Sequence, residues 1–150
     1  MEIIVTSIIT GLLSTGAMSI FLWFVTGFNI VNADMIRAIG SLITRDEKNA
    51  LLPGLFIHFN AGTIFTCVYI LIFHLVPNLS KFSVGYIVCG SLLGIVHGVI
   101  VSLFLTILVA EHHPLEKYKK AGFGVAVSHF LAHLIFGFCV GLVYTLSQLT

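Results

Sequence analysis

Four long apolar runs follow one another along the chain, and the charged residues are gathered between them. The runs cover roughly Ile3 to Phe28, Leu51 to Val76, Phe82 to Ala110 and Ala121 to Leu146. Each meets or exceeds the about 20 apolar residues a helix needs to cross the hydrocarbon layer. The pattern predicts an all-α polytopic membrane protein, a four-transmembrane-helix bundle. No room is left for a soluble domain, and no linker or low-complexity tract divides the chain, so residues 1–150 are expected to form a single transmembrane domain. The first run does not read as a secretory signal. It carries Glu2 where a basic n-region would stand, it is too long, and it lacks a clear small-residue cleavage site.

The connections carry their own pattern. In "NIVNADMIRAIGSLITRDEKNA" Asn32 or Asp34 can cap a helix in which Met35, Ile36, Ile39, Leu42 and Ile43 recur at helical spacing. A short amphipathic helix is expected there, lying in the interface or packed between two spans, and in either case able to cap one mouth of the bundle. "PNLSK" reads as a tight turn opened by Pro77, and "EHHPLEKYKK" as a polar hairpin with a helix stop at Pro114.

Small residues recur every fourth position in each span. The first has Ser7, Gly11, Thr15 and Ser19; the second Gly54, His58 and Gly62; the third Gly90, Gly94, Gly98 and Ser102; the fourth His129, His133, Gly137 and Gly141. In lipid, helices associate through close backbone approach along such stripes. "HFNAGTIF" at 58–65 and "HFLAHLIF" at 129–136 match in five positions, and "SIFL" at 19–22 resembles "SLFL" at 102–105. This suggests a duplicated two-helix hairpin whose copies run parallel.

Composition agrees with the pattern: 58% of residues are hydrophobic, only 9% are charged, and the mean hydropathy is +1.10. The net charge of +1 suggests no nucleic-acid or acidic-substrate partner. Distribution matters more than the sum. Arg37, Arg45 and Lys48 lie in the first connection and Lys117, Lys119 and Lys120 in the third, against Lys81 alone in the second. The positive-inside rule places connections 29–50 and 111–120 in the cytoplasm and both termini outside. Cys67, Cys89 and Cys139 lack metal-ligand spacing and are expected as buried apolar thiols.

The histidines are the candidate chemistry. His58, His97, His129 and His133 sit on or beside the small-residue stripes, which should point them into the bundle, because a polar group facing lipid is costly. Counted at 1.5 Å per residue they lie about 10 to 20 Å below one surface, within one half of the bilayer. Imidazole ligates transition metals and haem iron. The expectation is therefore a non-enzymatic protein holding haem b or a transition metal ion on His58, His97, His129 and His133, in the setting of a membrane redox complex. A second reading makes it a structural or interaction subunit whose histidines only bond between helices, to Ser14, Asn60, Thr63 or Ser128. A third is a small cation or proton transporter, disfavoured by the lack of acids in the spans. Partners are expected to be the lipid bilayer and a second copy or larger membrane complex. His74, His112 and His113 read as interfacial anchors, the pair also as an entrance for metal. Catalysis has little support: Ser128 and His129 face apart on a helix, and no Asp or Glu inside the spans offers an orienting partner.

"STGAMSIFLWFVTGF", "NADMIRAIGSLI", "GLFIHF", "GIVHG" and "HLIFGFCVGLVY" together resemble a family of small four-helix bacterial integral membrane proteins of unknown function. The resemblance runs from about Ser14 to Tyr144 and implies one histidine in each of the last three helices, His58, His97 and His133. Asp34 precedes Met35 here, whereas the family pattern has the reverse order. The resemblance implies architecture and histidines, and no reaction.

Overall fold

The structure is a computed structural model that describes residues 2–81 and 84–149. Its helices are α1 (Glu2–Gly27), α2 (Met35–Thr44), α3 (Leu51–Leu75), α4 (Gly85–Leu103), α5 (Glu116–Lys119) and α6 (Phe123–Ser147). A π-helical turn, Phe104–Val109, continues α4, and a 3₁₀ turn, Leu79–Lys81, follows α3. The four candidate spans are Ile4–Gly27, Leu51–Leu75, Gly85–Ile107 and Phe123–Ser147, close to the apolar runs of the sequence. Phe82 and Ser83, expected at the start of the third span, lie outside the described residues. The protein is an integral membrane protein, and its lipid-facing surface accounts for the many exposed leucines, isoleucines and phenylalanines.

Each helix begins and ends for a local reason. Pro53 stands in the first turn of α3, where its missing N–H deprives no carbonyl of a partner. Asp34 caps α2: its Oδ1 accepts from the Arg37 amide at 3.0 Å, and its Oδ2 accepts from the Arg37 guanidinium at 2.9 Å. That ion pair raises the Arg37 guanidinium above its ordinary value. Arg45 closes the helix in the left-handed region, with φ 52°.

α6 is the centre of the bundle, packing along α4 on one side and α1 on the other, while α1 packs against α3 and α2 lies across α3. The α4–α6 seam is a glycine-on-glycine contact. A Cβ on Gly90 would stand 2.4 Å from the Gly137 carbonyl oxygen, and one on Gly137 would stand 2.2 Å from that of Gly90. Gly94, Gly98 and Gly141 are equally closed by backbone, so neither helix can carry even a methyl group here. On the α1–α3 seam a Cβ on Gly62 would occupy the place of Thr15 Oγ1. α2 docks in the same manner, with Gly40 against the Ala50 carbonyl and Gly54 against that of Ile36.

α3 approaches the backbones of α4 and α6 only sparsely. Aromatic side chains fill that wider gap. Tyr69 meets Phe136 with ring centroids 5.7 Å apart, Phe73 meets Tyr86 at 5.4 Å and Tyr144 at 5.5 Å. Phe65 lies against His97 at 4.2 Å. The cysteines are not core thiols: Cys67 is exposed on the bundle surface and Cys89 and Cys139 are half-buried, because the glycine and aromatic contacts occupy the interior.

Gly137→Ala is expected to destabilise the bundle by about 1–3 kcal/mol, the cost of forcing atoms into a packed contact. Gly16→Ala, where a Cβ meets nothing within 4 Å, should be neutral or gain up to about 1 kcal/mol of helix propensity. Thermal unfolding in detergent, followed by circular dichroism, compares the two.

Candidate functional site

The small-residue stripes do bring the histidines inside. His58, His129 and His133 are buried, and His97 is half-buried between α3 and α6. His97 and His133 meet edge-on with ring centroids 4.7 Å apart, and Gly98 makes the room for this, since its own Cβ would lie 3.2 Å from that of His133.

What each ring bonds to decides its chemistry. His129 Nδ1 is 2.8 Å from the Val125 carbonyl, and His133 Nδ1 is 2.8 Å from the His129 carbonyl. A carbonyl only accepts, so both Nδ1 atoms donate and the neutral rings keep Nε2 as the lone-pair nitrogen. His58 Nε2 lies 3.1 Å from Ser19 Oγ, whose own proton goes to the Thr15 carbonyl at 2.7 Å. His58 is therefore the donor in a relay that ends on α1. His97 Nδ1 pairs with the Tyr69 hydroxyl at 3.2 Å, and its Nε2 is buried without a partner. Near the opposite end His74 Nε2 pairs with the Tyr144 hydroxyl at 3.2 Å.

Three of these bonds share one helix. Ser19–His58 ties α3 to α1, Tyr69–His97 ties it to α4, and His74–Tyr144 ties it to α6. α3 is the helix that lacks close backbone approach to α4 and α6, and the polar pairs span the distance that glycines close elsewhere.

The arrangement overturns the reading of His58, His97, His129 and His133 as ligands of haem or a metal ion. Among the described residues, no group of three or more His, Cys, Asp or Glu side chains is placed to hold a metal ion. The physical reason is divergence. His58 turns toward Ser19 on α1 and His97 toward Tyr69 on α3, so neither joins the α6 pair in a common ligand set. The cavity between His58, His97 and His133 is about 110 Å³, well below the about 300 Å³ at which cofactor pockets begin. Phe65 and Phe136 line it where a macrocycle would need space.

The expected bonding partners were also different residues. Thr63, Asn60 and Ser128 each bond a carbonyl four residues earlier on their own helix, and Ser14 is fully buried with no partner. The true partners are Ser19, Tyr69 and Tyr144. Ser19 stood on the first small-residue stripe, and Tyr69 lies eleven residues after His58, three helical turns along the same face.

His113 is no interfacial anchor. It is 1% exposed and locks the 111–120 connection onto α2. The Leu115 amide donates to its Nδ1 at 3.1 Å, which leaves Nε2–H to donate to the Ala38 carbonyl at 3.0 Å. Ser41 Oγ lies 3.5 Å from the same nitrogen, and an ion pair of Lys117 with Glu47 closes the same junction at the surface.

A family model described as a family of unknown function, DUF6789, matches residues 1–149. No curated protein and no solved structure matches the chain.

A double-mutant cycle of Tyr69→Phe and His97→Phe should give a coupling of about 0.6 kcal/mol, with about 1.7 as its ceiling for a bond inside a bilayer. His113→Phe should cost about 1–2 kcal/mol for its lost bonds. Hydrogen exchange locates that loss, with amides of residues 38–45 exchanging faster while those of α3 hold.

Proposed function

The chain belongs to the DUF6789 family, whose function is unknown, and from that premise we propose that it is a non-catalytic structural or interaction subunit of the membrane. The observation that carries this reading is the use of the histidines. His58, His74 and His97 bond α3 to α1, α6 and α4 in turn, so the side chains best suited to chemistry serve to hold the bundle together. Support comes also from the acids. Asp34, Glu47 and Glu116 are each engaged by a basic neighbour at the bundle's α2 end, and the described spans Ile4–Gly27, Leu51–Leu75, Gly85–Ile107 and Phe123–Ser147 contain none that could orient an imidazole.

In this reading the protein sits in a bacterial inner membrane with both termini outside and connections 29–50 and 111–120 in the cytoplasm. The gathering of Arg37, Arg45, Lys48, Lys117, Lys119 and Lys120 at the α2 end supports that orientation. Its setting is a homodimer or a larger membrane complex, reached through the apolar outer faces of the spans.

Two measurements test the reading together. Cross-linking in native membranes followed by mild-detergent purification should recover a stoichiometric second subunit or second copy. His97→Phe should lower thermal stability by about 1 kcal/mol, in keeping with one intramembrane bond, while the purified protein in liposomes carries no proton or cation current. A monomer that gives a current abolished by His97→Phe would overturn the proposal in favour of transport.

A further inference from the structure

Apart from the histidine bridges, a second cavity of about 110 Å³ opens at the α2 end, between α2, the π-helical turn, the 110–122 connection and the start of α6. Its wall is mostly apolar, with Ile39, Leu105, Val109 and Val125 among the residues facing it. The π-helical turn contributes directly. Its wider coil, with the Ala110 amide bonded five residues back to the Leu105 carbonyl at 2.9 Å, sets Leu105, Val109 and Ala110 along one side of the opening.

One polar group at this cavity is left incomplete. Tyr118 is 8% exposed and its hydroxyl makes no hydrogen bond of normal length and angle, although the Glu47 and Asp34 carboxylates both act on it. Burial raises the pKa of that hydroxyl, so it remains a donor. His129 is 4% exposed, lines the cavity and bonds its own helix through Nδ1. A buried polar group without a partner is costly, so the Tyr118 hydroxyl points to an acceptor that completes it.

Charge narrows the choice. Arg37 is paired with Asp34, Lys117 with Glu47 and Lys119 with Glu116. Lys120 also lines the cavity and, among the described residues, takes part in no ion pair. The two carboxylates near the cavity, Asp34 and Glu47, are thus matched by Arg37 and Lys117, and Lys120 supplies the excess positive charge. We infer that this cavity is a binding site for an anionic phospholipid, whose headgroup phosphate accepts from Lys120 and the Tyr118 hydroxyl while its acyl chains lie on the apolar wall and run out into the bilayer. Basic recesses between helices at the membrane surface take such headgroups. The cavity need only seat the headgroup, because the chains stay in the surrounding lipid. An apolar wall that includes Ile39, Leu105, Val109 and Val125 is the feature a lipid requires and a soluble anion does not.

The test uses the full-length protein in nanodiscs. Thermal stability and native mass spectrometry are read in pure phosphatidylcholine, in phosphatidylcholine with phosphatidylglycerol, and in phosphatidylcholine with inorganic phosphate in the buffer. Phosphatidylglycerol should raise the melting temperature and remain bound in the mass spectrum, and inorganic phosphate should do neither. Lys120→Gln should weaken phosphatidylglycerol retention about fivefold, the typical effect of one basic residue at an anionic surface. Lys119→Gln, outside the cavity lining and already paired with Glu116, should leave retention unchanged. Because Lys120 is exposed, its replacement does not threaten the fold, and Tyr118→Phe then reports the hydroxyl's share. Equal retention of both lipids, equal loss in the Lys119 and Lys120 variants, or stabilisation by inorganic phosphate alone would each overturn the inference.

Discussion

Helices in a bilayer gain nothing by hiding apolar surface from one another, because the lipid is as apolar as they are. What holds this bundle is contact that lipid cannot supply: backbone against backbone where both helices are glycine, and hydrogen bonds where they are not. The α4–α6 seam is the first kind. The attachment of α3 to α4 and α6 is the second, through Tyr69–His97 and His74–Tyr144, while its seam with α1 combines a close glycine contact with the Ser19–His58 bond. The two modes divide the molecule. One half is set by absent side chains, the other by aromatic rings packed edge-on or tilted across a gap and pinned by polar tips.

That division explains the fate of the histidines. An imidazole in hydrocarbon must bond to something, and the first partner in reach decides which way the ring turns. On α6 the partner is the helix's own carbonyl one turn earlier, for both His129 and His133. On α3 and α4 it is a hydroxyl across the seam. His58 and His129 occupy matching places in the two similar sequence segments, yet one reaches Ser19 on α1 and the other bonds Val125 on its own helix. Similar sequence did not bring similar bonding, because Ser19 on α1 offers His58 an acceptor oxygen while His129 turns back to its own helix.

The spans, the short capping helix and the inward-facing stripes could be read from period and composition, because each depends on a residue's own helix. Asp34 as the cap of α2 belongs with them. The hydrogen-bond partners could not be read in the same way. Choosing Tyr69 over Thr63 for His97 requires knowing that α3 and α4 stand apart, so that only a long side chain bridges them, while Thr63 turns back to Phe59. The metal reading failed for the same reason: it assumed that histidines at similar depth converge, whereas their rings point to different neighbours. His113 reads as an interfacial anchor because a histidine in a charged connection looks solvated. Only the docking of α2 buries it.

The π-helical turn at Phe104–Val109 has a consequence for how the third span can vary. A five-residue hydrogen-bond step holds one residue more than the α-helical step, so the sequence before the turn and the sequence after it are out of phase by one position. Upstream, the rotational setting of α4 is dictated by Gly90, Gly94 and Gly98 against α6. Downstream, Leu105, Val109 and Ala110 are free to face α2 and the connection without inheriting that angle. The extra residue acts as a swivel, letting two faces of a single span be tuned as if they belonged to separate helices.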